Sequence, residues 1–254
     1  MRNFFQSLGS VIFTLYLFLS LPAYAVISLL TAPFPHRVTY VVGRHWAKTV
    51  LFLLKALCSL DYVVEGQQHL PKKNTVVLLK HSSTFEALAQ VLIFPKQTWV
   101  IKKELMWAPF LGWALPLYKP IAINRRAGRT ATEQVIEEGQ QRLNEGLWVM
   151  IFPEGTRVAS GESKRYGLGG ALLAAAAGRP IVPVAHNAGK FWPRRSWIKQ
   201  PGTITIRIGP PISTEGLSPK DITNQVREWI ESAVTKINTS MEVGNSDHKL
   251  NTSA

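Results

Sequence analysis

The chain has 254 residues, 29 Lys+Arg against 16 Asp+Glu, and a net charge of +13. Its length suits one large domain or one domain with an appendage, and its 46% hydrophobic content excludes a disordered chain. One cysteine, Cys58, excludes a disulfide framework and a thiolate zinc site.

Val11 to Leu30 contains no charged residue. Twenty helical residues span ~30 Å, the hydrocarbon thickness of a bilayer, so this run reads as a membrane helix, with Pro22 placed to kink it. Arg2, an apolar stretch and Ala23-Tyr24-Ala25 also match a cleaved leader. The apolar run continues past that cut through Val26, Ile27, Leu29 and Leu30, which favours an uncut anchor. A second apolar run, Val50 to Leu60, carries Lys55, and its length fits an interfacial or re-entrant helix. Arg37, Arg44 and Lys48 lie between the runs, against Arg2 alone before them. This bias puts the connection and the main domain on the cytoplasmic side of the cell's inner membrane.

From Asp61 onward, short β-rich runs alternate with helical patterns. The expected strands are Tyr62–Glu65, Thr75–Leu79, Thr98–Ile101, Ile121–Ile123, Leu147–Ile151, Ile181–Val184 and Thr203–Ile208. The expected helices are Thr84–Ile93, Thr130–Leu143, Gly169–Ala177 and Pro219–Ile237. This alternation indicates an α/β fold, a largely parallel mixed sheet flanked by helices. The expected organisation is membrane-anchoring helices over 1–60, an α/β domain over 61–240 and a disordered polar tail over 241–254.

Five segments are able to carry chemistry. In Lys80-His81-Ser82-Ser83-Thr84-Phe85-Glu86 a strand ends and a helix begins. His81 and Glu86 are five apart and so not on one helix face. His81 therefore belongs to the turn, where its ring can meet a carboxylate in the helix's first turn and serve as a general base. Ser83 and Glu86 also form S-x-x-E, a capping box that uses the same carboxylate. Phe152-Pro153-Glu154-Gly155-Thr156-Arg157 follows a strand at the edge where α/β sheets bind ligands. Gly155 permits a turn that presents N–H groups to an anion, and Arg157 offers a fork suited to phosphate. The alternative is an ordinary turn with a solvated arginine.

Lys102-Lys103-Glu104-Leu105 adjoins Trp99, Trp107, Phe110 and Trp113, the mixture found at a bilayer's headgroup level; a packed core helix is the alternative. Ile123-Asn124-Arg125-Arg126 brings a strand into two arginines, either a phosphate grip or a solvated charge run. Val182-Pro183-Val184 delivers His186, which has no acid close behind it and reads as structural or site-lining. The chain lacks G-x-S-x-G, Walker and G-x-G-x-x-G motifs and H-E-x-x-H metal-ligand spacing.

Taken in order, these segments resemble the glycerolipid acyltransferase family over roughly residues 75–190. The family's first motif, a His, four residues and an Asp, is matched by His81 and Glu86, with Glu for Asp. Its second, third and fourth motifs are matched by Ile123-Asn124-Arg125, by Phe152 to Arg157 residue for residue, and by Val182-Pro183-Val184. A K-x-E-L segment is matched at Lys102 to Leu105. The resemblance implies acyl transfer from acyl-CoA or acyl carrier protein to the 2-hydroxyl of lysophosphatidic acid, giving phosphatidic acid. It implies His81 as base and Glu86 as its orienting acid. It implies Arg125 and Arg157, with Lys102, Glu154, Gly155 and Thr156, as the acceptor's phosphate pocket. The thioester is already activated, so no metal or other cofactor is expected. Another lysolipid acceptor, such as lyso-ornithine lipid, and a non-catalytic adaptor for anionic lipid are the alternatives.

The charge agrees with a lipid partner. Residues 96–129 hold seven Lys/Arg and one acid, and residues 157–207 hold nine and one, so the surplus is confined to two windows. Basic residues near an anionic leaflet contribute ~1 kcal/mol each. The hydrophobic N-terminus and the lack of a nucleic-acid motif argue against nucleic acid.

Overall fold

The computed structural model describes the backbone of residues 2–251 and the side chains of residues 4–241. Two long helices, α1 (Arg2–Leu30) and α2 (His36–Cys58), come first. They are followed by β1 (Leu60–Glu65), β2 (Val76–Leu79), α3 (Phe85–Ile93), β3 (Gln97–Lys102), α4 (Leu111–Ala114) and β4 (Ile121–Ile123). Then come α5 (Arg129–Asn144), β5 (Trp148–Ile151), α6 (Gly169–Ala176), β6 (Ile181–His186), α7 (Ala188–Phe191), β7 (Gly202–Ile208) and α8 (Pro219–Asn251). All seven expected strands are present, with ends displaced by one or two residues.

The strands form one sheet in the order β1-β7-β6-β2-β5-β3-β4. Neighbours from β6 to β4 are parallel; β7 is antiparallel to β6, and β1 runs parallel to β7. The central strands are buried on both faces, which explains why VVLL in β2 and WVMI in β5 are continuous apolar runs. Their side chains still alternate between faces. Val77, Leu79, Trp148 and Met150 enter one core layer with α2 and α3; Val76, Leu78, Val149 and Ile151 enter the other with α5, α6 and α8. On α3, Phe85, Leu88 and Ala89 share the face turned to the sheet. A fully buried phenylalanine such as Phe85 contributes about 1.5–3 kcal/mol.

The topology fixes where the motifs meet. Because β6, β2, β5, β3 and β4 point the same way, their C-terminal ends lie along one edge of the sheet. The residues that follow or close them are His186, His81, Phe152–Arg157, Lys102 and Arg125, so segments far apart in sequence converge there.

Two features differ from the sequence expectation. The run from Val50 is not an interfacial segment: it is the second half of α2, and Val50, Leu54 and Cys58 are fully buried in the core beneath β1 and β6. Phe13 of α1 joins that layer, so α1 is packed against the α/β domain. The second difference is at the C-terminus. α8 runs through Met241 to Asn251; residues 252–254 of the expected tail lie outside the described residues.

α1 and α2 form an antiparallel hairpin. Trp46 Nε1 donates to Ser20 Oγ at 3.0 Å, and Thr31 and Thr39 hydroxyls meet at 2.7 Å. At Gly9 the helices come so close that an added Cβ would lie 2.0 Å from the Leu57 carbonyl oxygen. Polar bonds fasten the start of α1 to the domain: Gln6 Nε2 donates to Cys58 O at 3.1 Å, and Ser10 Oγ accepts from Lys199 N at 3.0 Å. The buried Lys199 ammonium also donates to Thr14 Oγ1 and lies over the rings of Phe13 and Trp192. Phe4–Leu30 is nonetheless long and apolar enough to cross a membrane by length and composition, with mean hydropathy 2.0. Pro22 lies inside an uninterrupted helix.

Candidate active site

His81 leaves β2 on the turn into α3, and its ring is held at one edge and on one face. Its Nδ1 lies 2.8 Å from Glu86 Oε1. One face stacks on Phe152, with ring centroids 3.9 Å apart. Its main chain is pinned too: the His81 carbonyl accepts the Val158 N–H at 2.8 Å, and its N–H points to Glu154 Oε1 at 3.4 Å. A carboxylate accepts only, so Nδ1 carries the proton and Nε2 keeps a free lone pair. The ring is 16% exposed and borders the cavity described below, so that lone pair is available to a substrate.

Glu86 makes both sets of contacts that the sequence set in competition. Oε1 accepts from His81 Nδ1 and also from the backbone N–H groups of Ser82 (2.9 Å) and Ser83 (2.8 Å). The Ser83 contact is the return arm of a capping box, and Ser83 Oγ accepts the Phe85 N–H at 3.2 Å. Burial raises the Glu86 carboxyl, but the imidazoles of His186 and His81 and the Ser83 N–H outweigh it and hold the group below the usual carboxylate range. Among the described residues Oε2 has no hydrogen-bond partner, and it faces His186 Nε2 at 3.8 Å.

His186 is fully internal. Its Nδ1 accepts the Ala188 N–H at 3.2 Å, which leaves the proton on Nε2 for the Lys80 carbonyl at 2.7 Å. Burial pushes its pKa down, against the pull of the Glu86 carboxylate. It braces the turn that carries His81.

A cavity of about 400 Å³ opens beside His81, within the range of small-molecule sites. Its walls are apolar and come from both layers of one face: Leu21 and Ala25 of α1, Trp46 of α2, Leu88 and Val91 of α3, and Leu111 and Leu115. Lys102, Arg125 and Arg157 line it as well. Arg157 donates to Thr84 Oγ1 at 2.8 Å, and Arg125 donates to the Gly155 carbonyl. Gly155 turns with φ +67°, a conformation suited to glycine, and this sets its carbonyl toward Arg125. Lys102 pairs with Glu104 at 3.1 Å on the exposed rim. The outcome is a greasy chamber with the His81 imidazole and two arginines in its lining.

Three predicted site residues, Gly155, Glu154 and Thr156, fall outside this lining. Gly155 borders a neighbouring cleft with Arg125. Glu154 does not line the His81 cavity. Its buried carboxylate turns inward to Lys80 Nζ (3.4 Å) and the His81 N–H, because the Pro153-Glu154 turn packs against the strand end instead of facing substrate. Burial pushes its pKa up to about 7 although Lys80 pulls it back. Thr156 lines a separate polar cleft shared with Arg157, Ser160 and Lys164. The Lys/Trp segment is a pair of short helical turns, with Trp107 73% and Trp113 55% exposed, so it is not a core helix.

Sequence reasoning missed Thr84, which fixes Arg157, and Lys80, which stands directly before His81. It also missed Glu231 and Tyr166. Lys80 is visible as a charged residue closing an apolar strand; Glu231 lies 151 residues away and carries no local signal.

A partly exposed His held by a buried carboxylate, on an α/β sheet edge and facing an apolar chamber, is an arrangement able to carry general-base chemistry. The family model described as Acyltransferase matches residues 61–187, and the chain belongs to that family. It is 38% identical over 237 residues to the 1-acyl-sn-glycerol-3-phosphate acyltransferase of Pseudomonas aeruginosa, covering 91% of this chain and 92% of the relative. It is 30% identical over 198 residues to the human 1-acyl-sn-glycerol-3-phosphate acyltransferase alpha, covering 76% and 70%. The crystal structure of the 1-acyl-sn-glycerophosphate (LPA) acyltransferase from Thermotoga maritima shares the fold, with TM-score 0.78 and 21% identity over 94% of this chain and 98% of that one.

Proposed function

We propose that this acyltransferase moves a fatty acyl group from acyl-CoA or acyl carrier protein to the 2-hydroxyl of 1-acyl-sn-glycerol-3-phosphate, releasing phosphatidic acid and the free thiol. The observation that carries this reading is the Nδ1-bound His81 in one apolar cavity with Arg125 and Arg157. His81 Nε2 removes the acceptor's hydroxyl proton as the oxygen attacks the thioester carbonyl. The imidazolium that forms is held by Glu86 Oε1. Collapse of the tetrahedral intermediate expels the thiolate, which takes the proton back from His81. Positioned bases of this kind contribute ~10²–10⁴ in rate. No acyl-enzyme is needed, since Cys58 is fully buried at the end of α2 and burial pushes its thiol up. Arg125, Arg157 and Lys102 hold the acceptor phosphate, Gly155 shapes the loop between the arginines, and the apolar walls take an acyl chain.

The same reading places the reaction at a membrane. Phe4, Leu8, Leu15, Phe18 and Leu19 of α1 face outward, as do Phe52 of α2 and the exposed Trp107 and Trp113. The opposite side of α1 is bonded to Cys58 and Lys199 of the domain. A helix committed on one side and greasy on the other lies in one leaflet and does not cross both. Loss of α1 by cleavage after Ala25 would strip Phe13 from the core, so the anchor is retained. The reading sets this greasy face against the anionic cytoplasmic leaflet of the inner membrane.

The test is an acceptor panel. Vesicles carrying the protein receive labelled acyl-CoA with lysophosphatidic acid, lysophosphatidylcholine or lyso-ornithine lipid. Preference for the phosphomonoester supports the assignment of the arginines; equal or better use of lyso-ornithine lipid overturns it. An amino-terminal sequence beginning at Val26 would overturn the retained anchor.

A further inference from the structure

The active-site turn is reached by a charged network that no step above uses. Lys80, the last residue before His81, is 3% exposed, yet its ammonium meets two carboxylates. It donates to Glu231 Oε1 at 2.7 Å and lies 3.4 Å from Glu154 Oε1 and from the Glu162 carbonyl. Glu231 belongs to α8, on the far layer of the sheet, and its Oε1 also accepts the Tyr166 hydroxyl at 2.9 Å. The Glu154 oxygen beside Lys80 is the one that receives the His81 N–H. The Lys80 main chain is equally constrained, its carbonyl by His186 Nε2 and its N–H by Val184 O at 3.0 Å.

We infer that Lys80 and Glu231 are a positioning pair for His81, with Glu154 as the link between the ammonium and the main chain of the catalytic residue. A buried ion pair is a poor device for stability alone, because well-packed apolar side chains of similar volume do as well or better. Here the pair sits where it governs one hydrogen bond to His81. Lys80 supplies the charge that keeps the buried Glu154 carboxyl able to accept that N–H, since burial by itself drives this group toward its neutral form. Glu231 and Tyr166 in turn fix where the ammonium sits. Neither Lys80 nor Glu231 borders the chamber that holds His81, Arg125 and Arg157, so neither touches substrate there. The clamp thus runs from α8 through Lys80 and Glu154 to the main chain of His81, the residue whose ring is held by Glu86.

This inference rests on the proposed role of His81 as base. The test measures kcat and KM at 25 °C for the full chain in detergent–lipid micelles, with the melting temperature of each variant. Glu231→Ala and Lys80→Met are each expected to lower kcat tenfold or more, with KM for acyl-CoA and for the lysolipid within twofold of native. Lys80→Met/Glu231→Leu, which removes both charges, is expected to lose no more than the worse single variant, because the two act as a unit. Should Glu231→Ala not fold, Glu231→Gln keeps the volume and the acceptor for Tyr166, and a kcat loss of threefold or more is expected. A purely structural pair would lower the melting temperature and leave kcat per folded enzyme unchanged; that result, a loss confined to KM, or single losses that multiply would overturn the inference. His81→Ala is assayed in parallel. If it retains native turnover, the base assignment has failed, whatever the Glu231 variants show.

Discussion

Replacing Glu86 by Gln separates the two duties of its carboxylate. Gln has the same length and keeps one carbonyl oxygen; in the Oε1 position that oxygen still accepts from Ser82 and Ser83, so the start of α3 is preserved. What disappears is the negative charge 2.8 Å from His81 Nδ1. A hydrogen bond to a charged group contributes roughly 1.5–3 kcal/mol. The Coulomb attraction of an ion pair at 4 Å in an effective dielectric of 20 comes to about 4 kcal/mol. The imidazolium develops only during reaction, so this loss falls on the transition state. At about 1.4 kcal/mol per factor of ten, kcat falls by roughly 10–10³. Stability suffers less. The new amide nitrogen takes the place of the unpartnered Oε2 and faces the His186 nitrogen, which already donates to Lys80 O. One unsatisfied buried donor costs roughly 1–3 kcal/mol, or a few degrees in Tm for a chain of this size, at about 2–4 °C per kcal/mol. Initial rates at saturating substrates, paired with thermal melts, provide the comparison. A rate within threefold of native alongside a lowered Tm would show that Glu86 only caps the helix, and would refute the dyad.

Arg157→Ala removes the guanidinium held by Thr84 and is expected to raise KM for a phosphate-bearing acceptor at least tenfold, with KM for the thioester little changed; equal effects on both would undermine the phosphate role. Glu154→Gln tests the buried carboxyl through pH. Its folded-state pKa of about 7 lies above the unfolded value, so the native protein gains stability from the bound proton below the unfolded pKa and loses it as pH rises through 7. The variant is therefore expected to gain on the native protein between pH 5 and 8, by at most about 3 kcal/mol; melts whose difference is flat across that window would contradict the assignment. Gly9→Val drives a side chain into the Leu57 carbonyl and is expected to loosen the hairpin, seen as faster proteolysis within α1 and a lower Tm; an unchanged Tm would mean that α1 is not docked as described.

The strands and the motif order were legible because the central strands are parallel and buried on both faces. VVLL and WVMI then appear as short apolar runs, and the residues after them fall at one sheet edge by topology alone. By its own spacing the His81–Glu86 pair was legible only as a choice between base-holder and helix cap, and the family resemblance favoured the first. Sequence spacing allows either, and it takes coordinates to find three N–H groups converging on one oxygen. α2 was misread because attention to the dense run after Val50 hid its earlier turns. Tyr40, Ala47, Leu51, Leu54 and Cys58 recur at helical spacing, one buried stripe from a helix that begins at His36. The inward turn of Glu154 was not legible, since its partner Lys80 answers in turn to Glu231, a residue placed by the packing of α8 and by nothing local.

The central claim is that His81, oriented by Glu86, transfers an acyl group to the 2-hydroxyl of lysophosphatidic acid. It is tested most directly by following a labelled acyl group from acyl-CoA into lipid, with native protein and His81→Ala at equal folded amounts. The account predicts label at the 2-position of phosphatidic acid with the native protein and at least a thousandfold less with the variant. Phosphatidic acid formed by the variant within tenfold of the native rate would contradict it, as would no labelled phosphatidic acid from the native protein.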